Sequence, residues 1–223
     1  MILIENLSKK FATPNGEKKV LDNISLSIKD GTLFGIKGDS GIGKSTLVSI
    51  IAGLQKADGG TVTVDGTETT SLSDDEICSF RNRNIGFVSQ EQSFLENLSV
   101  IDNVVLVSLL SRKKRRAERK DIERAEKLLA DLGIGNLAKQ SPSSLSGGEN
   151  RRLLIARALM NDPKTIIADE PTDALDRDMA DETVGIFKRL SESGKTVVLV
   201  THDEEALKKC DEIFFMQNNT VYL

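Results

Sequence analysis

The stretch Gly38-Asp39-Ser40-Gly41-Ile42-Gly43-Lys44-Ser45, followed by Thr46, constrains this chain more than any other segment. It follows Thr32 to Lys37, which reads as a strand, and precedes Lys44 to Leu54, which is spaced as a helix. A glycine-rich turn in that position lets successive backbone N–H groups point inward as a nest for an anion. The helix that follows adds the positive end of its dipole. Lys44 is then expected to reach the β- and γ-phosphates of a nucleotide, and Ser45 to offer its hydroxyl oxygen to Mg²⁺. Gly38, Asp39, Ser40, Gly41, Ile42, Gly43, Lys44, Ser45 and Thr46 are the candidate phosphate contacts, with the Asp39 side chain expected to point away.

The remaining periodicity is consistent with that start. Ile2-Leu3-Ile4, Ile24 to Ile28, Thr61 to Val64 and Ile85 to Val88 read as strands, the second with two-residue alternation. Pro14-Asn15-Gly16-Glu17 has turn chemistry, and Ser73-Asp74-Asp75-Glu76 reads as a helix start with acids in its first turn. From about Ser99 to Leu137 the pattern is helical. The last third alternates: helix Glu149 to Met160, strand Thr165 to Ala168, helix Arg177 to Glu192, strand Thr196 to Val200, helix Glu204 to Lys209, strand Ile213 to Met216. Strands separated by helices predict an α/β fold with a largely parallel sheet covered on both faces, and the helical middle an inserted subdomain.

Ile166-Ile167-Ala168 leads into Asp169-Glu170-Pro171-Thr172. A carboxylate at the end of a buried strand is well placed to hold Mg²⁺ through water opposite a phosphate loop, which suits Asp169. Glu170 would orient and polarise an attacking water, and Pro171 ends the strand. Many strands end in acidic residues; the phosphate loop is what gives this pair its meaning.

Bulk properties remove some function classes. The chain has 223 residues, 30 basic and 34 acidic, for a net charge of −4. That balance argues against a general nucleic-acid binder. Cys78 and Cys210 are the only cysteines and have no metal-ligand spacing, which favours a reducing compartment over a disulfide framework or zinc site. The N-terminus has no basic region ahead of a long apolar stretch, so no secretory signal is expected. No apolar run approaches the roughly 20 residues that span a bilayer, so any membrane-spanning part is expected on another chain.

Leu145-Ser146-Gly147-Gly148-Glu149 precedes a helix running through Arg157-Ala158-Leu159. A serine and two glycines at a helix start form a second anion cradle. A second cradle makes sense if it is presented to a nucleotide held by another subunit. This segment resembles the signature sequence of ABC ATPases, between phosphate loop and acidic pair as in that family. The resemblance covers essentially the whole chain. It implies a P-loop NTPase core, a mixed and largely parallel sheet with flanking helices, plus an N-terminal antiparallel β-subdomain and an inserted α-helical subdomain. One ATPase domain would fill residues 1–223, with about 1–98 and 141–223 as the core and 99–140 as the helical subdomain.

The resemblance further implies roles. Gln90, after Phe87-Val88-Ser89, matches the glutamine that contacts Mg²⁺ and leads to the surface meeting the transmembrane partner. Ala174-Leu175-Asp176 is similar to the loop that signals between paired ATPases. His202, the only histidine, matches the switch histidine at the γ-phosphate. Phe11 matches the aromatic residue that stacks on adenine. The catalytic set is thus Glu170, His202 and Gln90; ATP would be held by Phe11, the Gly38–Thr46 loop and Ser146, Gly147 and Gly148; Mg²⁺ would be held by Ser45, Gln90 and Asp169. Glu149 and Asn150 stand where glutamines are common, and Asp173 where a small residue is usual.

Leu72 to Glu76, Arg83 to Val88, Asn97 to Val104 and Asp169 to Thr172 are similar to the lipoprotein-releasing and macrolide-export type of ABC ATPase. The implied partners are a second copy, sandwiching ATP head to tail, and a separate transmembrane permease at the cytoplasmic face of the cell membrane. The expected work is export of peptides or antibiotics, or lipoprotein release. The alternative is an ABC ATPase of a membrane-linked signalling complex that regulates cell-wall enzymes. The basic run Arg112 to Arg116 reads as a solvated helix face balanced by Glu118, Asp121 and Glu123 in preference to a lipid contact.

Overall fold

The computed structural model describes residues 1–14, 16–91, 93–112, 116–217 and 220–222. Most of the basic run Arg112 to Arg116 and residue 15 of the first turn lie outside them. The strands are β1 (Ile2–Thr13), β2 (Gly16–Ile28), β3 (Leu33–Gly38), β4 (Gly59–Val64), β5 (Thr67–Glu68), β6 (Ile85–Val88), β7 (Thr165–Asp169), β8 (Thr196–Val200), β9 (Glu212–Gln217) and β10 (Thr220–Tyr222). The helices are α1 (Lys44–Ile51), α2 (Asp74–Asn84), α3 (Val100–Arg112), α4 (Arg119–Asp131), α5 (Gly147–Leu159), α6 (Arg177–Glu192) and α7 (Glu204–Lys208).

Two sheets form. A six-stranded sheet runs in the order β10-β9-β3-β8-β7-β6, and every pair from β9 to β6 is parallel. A four-stranded antiparallel sheet runs β2-β1-β4-β5. Both β7 and β8 are buried along their whole length, as expected of parallel strands covered on both faces.

Alternation along the parallel strands divides the core. Leu33, Ile166, Ala168, Val197 and Leu199 face a layer built from α3, α4, α5 and α6. Their neighbours Phe34, Ile36, Ile167, Val198 and Val200 face α1 and the antiparallel sheet, where Ile2, Ile4, Val62 and Val64 close the second core. Truncating one of the fully buried aromatics, Phe34 or Phe187, to alanine should cost about 3–5 kcal/mol.

Two strands run much further than the sequence pattern suggested. β1 continues from Ile4 to Thr13 because its polar half is laddered to β2, and register shifts between Ile4 and Leu7, Leu7 and Lys9, and Lys9 and Lys10 erase the two-residue period. β2 starts at Gly16, through the exposed Glu17-Lys18-Lys19, for the same reason. Conversely, the helix expected to reach Leu54 stops at Ile51, where Gly53 takes φ 65°.

The helical middle breaks into α3 and α4, which pack on each other and on α5. Asn103 is buried and clasps the chain entering α3: its Oδ1 accepts from Leu95 N, and its Nδ2 donates to the carbonyls of Leu95, Leu98 and Ser99. Arg124 of α4 donates to the carbonyls of Leu159 and Met160 at 3.0 and 2.6 Å, satisfying the C-terminal end of α5. The two cysteines differ sharply. Cys78 is exposed on α2, whereas Cys210 is tucked under Gly35, and burial pushes its thiol up to about 12.

Candidate nucleotide site

Four parallel strands deliver the candidate residues at their carboxyl ends, where open α/β sheets place ligands. The phosphate loop follows β3, Gln90 follows β6, Glu170 follows β7 and His202 follows β8. Gly38, Ser40, Gly41, Gly43, Lys44, Ser45, Thr46, Gln90, Glu170 and His202 all line one cavity of ≈ 550 Å³, together with Val20 and Asp173.

The loop's glycines are dictated by geometry at one position above all. Gly43 precedes α1 with φ 114°, and a Cβ there would sit 2.8 Å from Val20 Cγ1 and 3.1 Å from Val20 O. Helix α1 has no side-chain cap and no acidic residue in its first turn, so its first N–H groups have no side chain of their own to answer them. Lys44 is 8% exposed, and its Nζ donates to the carbonyls of Gly38 and Asp39 at 2.7 and 3.0 Å. The loop thus holds its own lysine folded across its mouth. Asp39 is exposed and does not line the cavity.

Asp169 is 7% exposed. Burial raises its carboxyl above the usual range, against the Ser45 hydroxyl that donates to it and the charge of Lys44. Its Oδ1 is buried with no hydrogen-bond partner. An orphaned carboxylate oxygen beside a serine hydroxyl, with an amide nearby, is a set of hard oxygen donors suited to a hydrated Mg²⁺ completed by phosphate oxygens. Among the described residues no cluster of three or more His, Cys, Asp or Glu side chains could hold a metal by itself.

Glu170 takes φ 46°, a left-handed conformation that costs a non-glycine residue about 1–3 kcal/mol. Two backbone bonds hold it there: Glu170 N donates to Val200 O at 2.9 Å, and its carbonyl accepts from Asp173 N at 3.2 Å. Its Oε2 lies 3.0 Å from His202 Nδ1. A carboxylate has no proton to give, so the ring donates from Nδ1 and leaves Nε2 free. The two candidate catalytic groups are therefore in contact.

The second cradle lies elsewhere. Ser146 caps α5, and its N–H and hydroxyl both donate to Glu149, at 2.7 and 2.8 Å, while its Oγ accepts from Glu149 N at 3.4 Å. These bonds hold the Glu149 carboxyl below its usual range. Ser146 and Gly147 are exposed; Gly148 is buried under Met179, whose Sδ would lie 2.5 Å from an added Cβ. None of the three lines the cavity of Lys44.

Phe11 also stands apart. It is 37% exposed on β1, and Lys9 Nζ lies 5.6 Å from its ring centroid; it does not line the cavity. Two lining residues carried no role in the sequence reading. Val20 has no chemical signature, and only its contact with Gly43 reveals it. Asp173 stands out in the sequence solely as a departure from the pattern the resemblance implies.

The chain matches the family described as ABC transporter over residues 21–173. It is 36% identical to the lipoprotein-releasing system ATP-binding protein LolD of Porphyromonas gingivalis, covering 100% of this chain and 99% of that protein. It is 39% identical to the macrolide export ATP-binding/permease protein MacB of Pasteurella multocida over 99% of this chain, and spans 34% of that protein's length. Among solved structures, the ATP-binding cassette MJ0796, a dimer in a post-hydrolysis state with ADP and Pi, superposes with a TM-score of 0.92 at 35% identity, covering 100% of this chain and 97% of that one.

Proposed function

Because the chain belongs to the ABC transporter ATP-binding family, a family of ATPases, we propose that the cavity of Gly38 to Ser45 binds ATP with Mg²⁺ and that Glu170 directs its hydrolysis. The observation that carries this reading is convergence: Lys44, Ser45, Gln90, Glu170 and His202 meet at one cavity from four separate strand ends. The bare α1 N-terminus and Lys44 receive the phosphates. Ser45, Asp169 and Gln90 are the residues that would hold Mg²⁺, which when bound spreads and neutralises charge on the β- and γ-phosphates. Glu170 orients the attacking water, and the free face of His202 meets the γ-phosphate. Phe11, exposed near the β1–β2 turn, is the residue that would stack on adenine.

The exposed cradle at Ser146, Gly147 and Gly148 serves a nucleotide held by a second copy. Two ATP molecules then join two chains head to tail, and loss of the γ-phosphate releases them. A groove of ≈ 560 Å³ beside the Gln90 segment, lined by Leu54, Ser79, Phe87, Val107, Leu110 and Arg157, receives a transmembrane permease. Among the described residues no helix is long and apolar enough to cross a membrane. In this reading the permease is a separate chain, and this protein works against it at the cytoplasmic face of the membrane. The likeness to MacB and LolD points to a permease of the export or lipoprotein-releasing kind.

Glu170→Gln tests the assignment. It should keep ATP binding, lower turnover by about 10²–10⁴-fold and accumulate an ATP-bound dimer detectable by light scattering. Turnover at the wild-type rate would overturn the role of Glu170. Co-purification with a permease, and stimulation of ATPase activity by that permease's cargo, test the partner.

A further inference from the structure

Asp173 lines the nucleotide cavity. Gln90 Nε2 donates to its Oδ2 at 3.0 Å. That contact decides the chemistry of the glutamine. A side-chain amide can present either its NH₂ or its carbonyl oxygen, and a carboxylate accepts only the NH₂. With one N–H of Nε2 on Asp173, the amide is turned so that its other end, Oε1, is the one left to face a cation or the hydrogen of a bound water, as a hard oxygen can. Turned the other way, the amide would aim two N–H donors at a positive charge.

Asp173 is tied down by one backbone bond and lies in the field of one buried cation. Its N–H donates to Glu170 O at 3.2 Å, which ties it to the strand end carrying the candidate catalytic carboxylate. The cation is Arg151 of α5, 1% exposed. Arg151 Nη1 donates to Ser89 O at 3.0 Å, the carbonyl just before Gln90, and its Nε has no partner. A buried guanidinium is costly to desolvate, and the negative charge of Asp173 opposes that cost. One arginine therefore holds the backbone at Ser89 and lies in the field of the carboxylate that holds the Gln90 side chain.

We propose that Asp173 is a positioning residue that fixes the orientation of the Gln90 amide so that its oxygen faces the metal bound with ATP. The proposal rests on the reading of the cavity as a MgATP site. Asp173 acts through Gln90 and does not touch the cation.

The test is a double-mutant cycle on the full chain in the Glu170→Gln background, with Mn²⁺ as the probe. Protein is held in excess over ATP so that the nucleotide is bound, Mn²⁺ is titrated by electron paramagnetic resonance against a protein-free ATP control, and a melting curve reports the fold of each variant. Asp173→Ser should raise the half-saturating Mn²⁺ concentration about tenfold, in line with loss of a charge-assisted hydrogen bond. Gln90→Ala should raise it comparably. In the double variant Asp173→Ser should add less than about twofold, because its effect travels through the missing amide. Asp173→Asn, which can accept from Gln90 but can also donate to it, should fall between. A shift on Asp173→Ser that persists undiminished without Gln90 makes Asp173 a direct ligand or a general charge and overturns the proposal, as does no shift in the presence of Gln90. Absence of any ATP-dependent Mn²⁺ binding in the Glu170→Gln protein itself would defeat the reading of the site, and that outcome is seen before any Asp173 variant is made.

Discussion

Helices α1 and α5 both begin with a glycine-rich turn, yet they treat their positive ends in opposite ways. The start of α1 is bare, follows a glycine in a left-handed conformation and opens into a cavity that also receives residues from three other strand ends. The start of α5 is exposed and already satisfied: Ser146 and Glu149 close a capping box, and a carboxylate sits at the positive end of the dipole. An uncapped end is stable only with an anion or water upon it. A capped end can exist alone and is available to a second molecule. The pair of cradles thus reads as one site that needs a ligand and one that waits for a partner.

The largest expected break of this contrast comes from Gly43→Ala. Left-handed strain and the clash with Val20 should weaken ATP binding by the isolated chain by about 100-fold or more, measured with a fluorescent nucleotide. Gly147→Asp tests the other cradle. An added Cβ there meets nothing closer than Leu175 Cδ2 at 3.9 Å, so the fold should survive. ATP binding by the single chain should be unchanged, while ATP-dependent dimerisation, followed by light scattering, should weaken more than about tenfold because a carboxylate meets the partner's phosphates. If both variants lose binding equally, the two cradles do not belong to different subunits' nucleotides.

Asp169→Asn should separate stability from function at the bare site. The folded chain holds the Asp169 proton more tightly than the unfolded chain does. Stability therefore falls as pH rises from the usual carboxylate range through the raised folded value, and the ionised form is the less stable one at neutral pH. Replacing the carboxylate by an amide should raise the melting temperature of the nucleotide-free protein by about 2–4 °C at neutral pH and flatten that part of its pH dependence, while Mg²⁺-dependent turnover is lost. A melting temperature that falls would mean the Ser45 bond and Lys44 charge outweigh burial.

The smallest effect belongs to Glu149→Gln. The amide still accepts from Ser146 but removes the negative charge, so the ATP concentration for half-maximal dimerisation should drop about two- to fivefold. No change would mean the Glu149 charge is fully answered by Ser146.

The chemistry of the bare site was legible in the chain because it is local. A phosphate loop, an acidic pair and a histidine each follow a short buried strand, and the strand's own apolar run announces it. What could not be read depends on contacts remote in sequence. Gln90 and Asp173 are 83 residues apart, and nothing at either position names the other. Val20 matters only because a hairpin brings it against Gly43. The polar extensions of β1 and β2 carry no alternating pattern; backbone ladders and bulges make them strands, and those same bulges set where the Phe11 ring lies. The parallel sheet followed from alternating elements, whereas the division of its two faces between helices and the antiparallel sheet emerged from side-chain contacts.

The unequal cysteines give the unaltered chain a built-in reporter. Burial pushes the Cys210 thiol up to about 12, so it stays protonated at neutral pH, and it is partly covered as well. A maleimide dye should therefore mark Cys78 alone, on α2 at the rim of the groove beside the Gln90 segment. Quenching or protection of that single label would register arrival of a partner in the groove without engineering a residue into the protein.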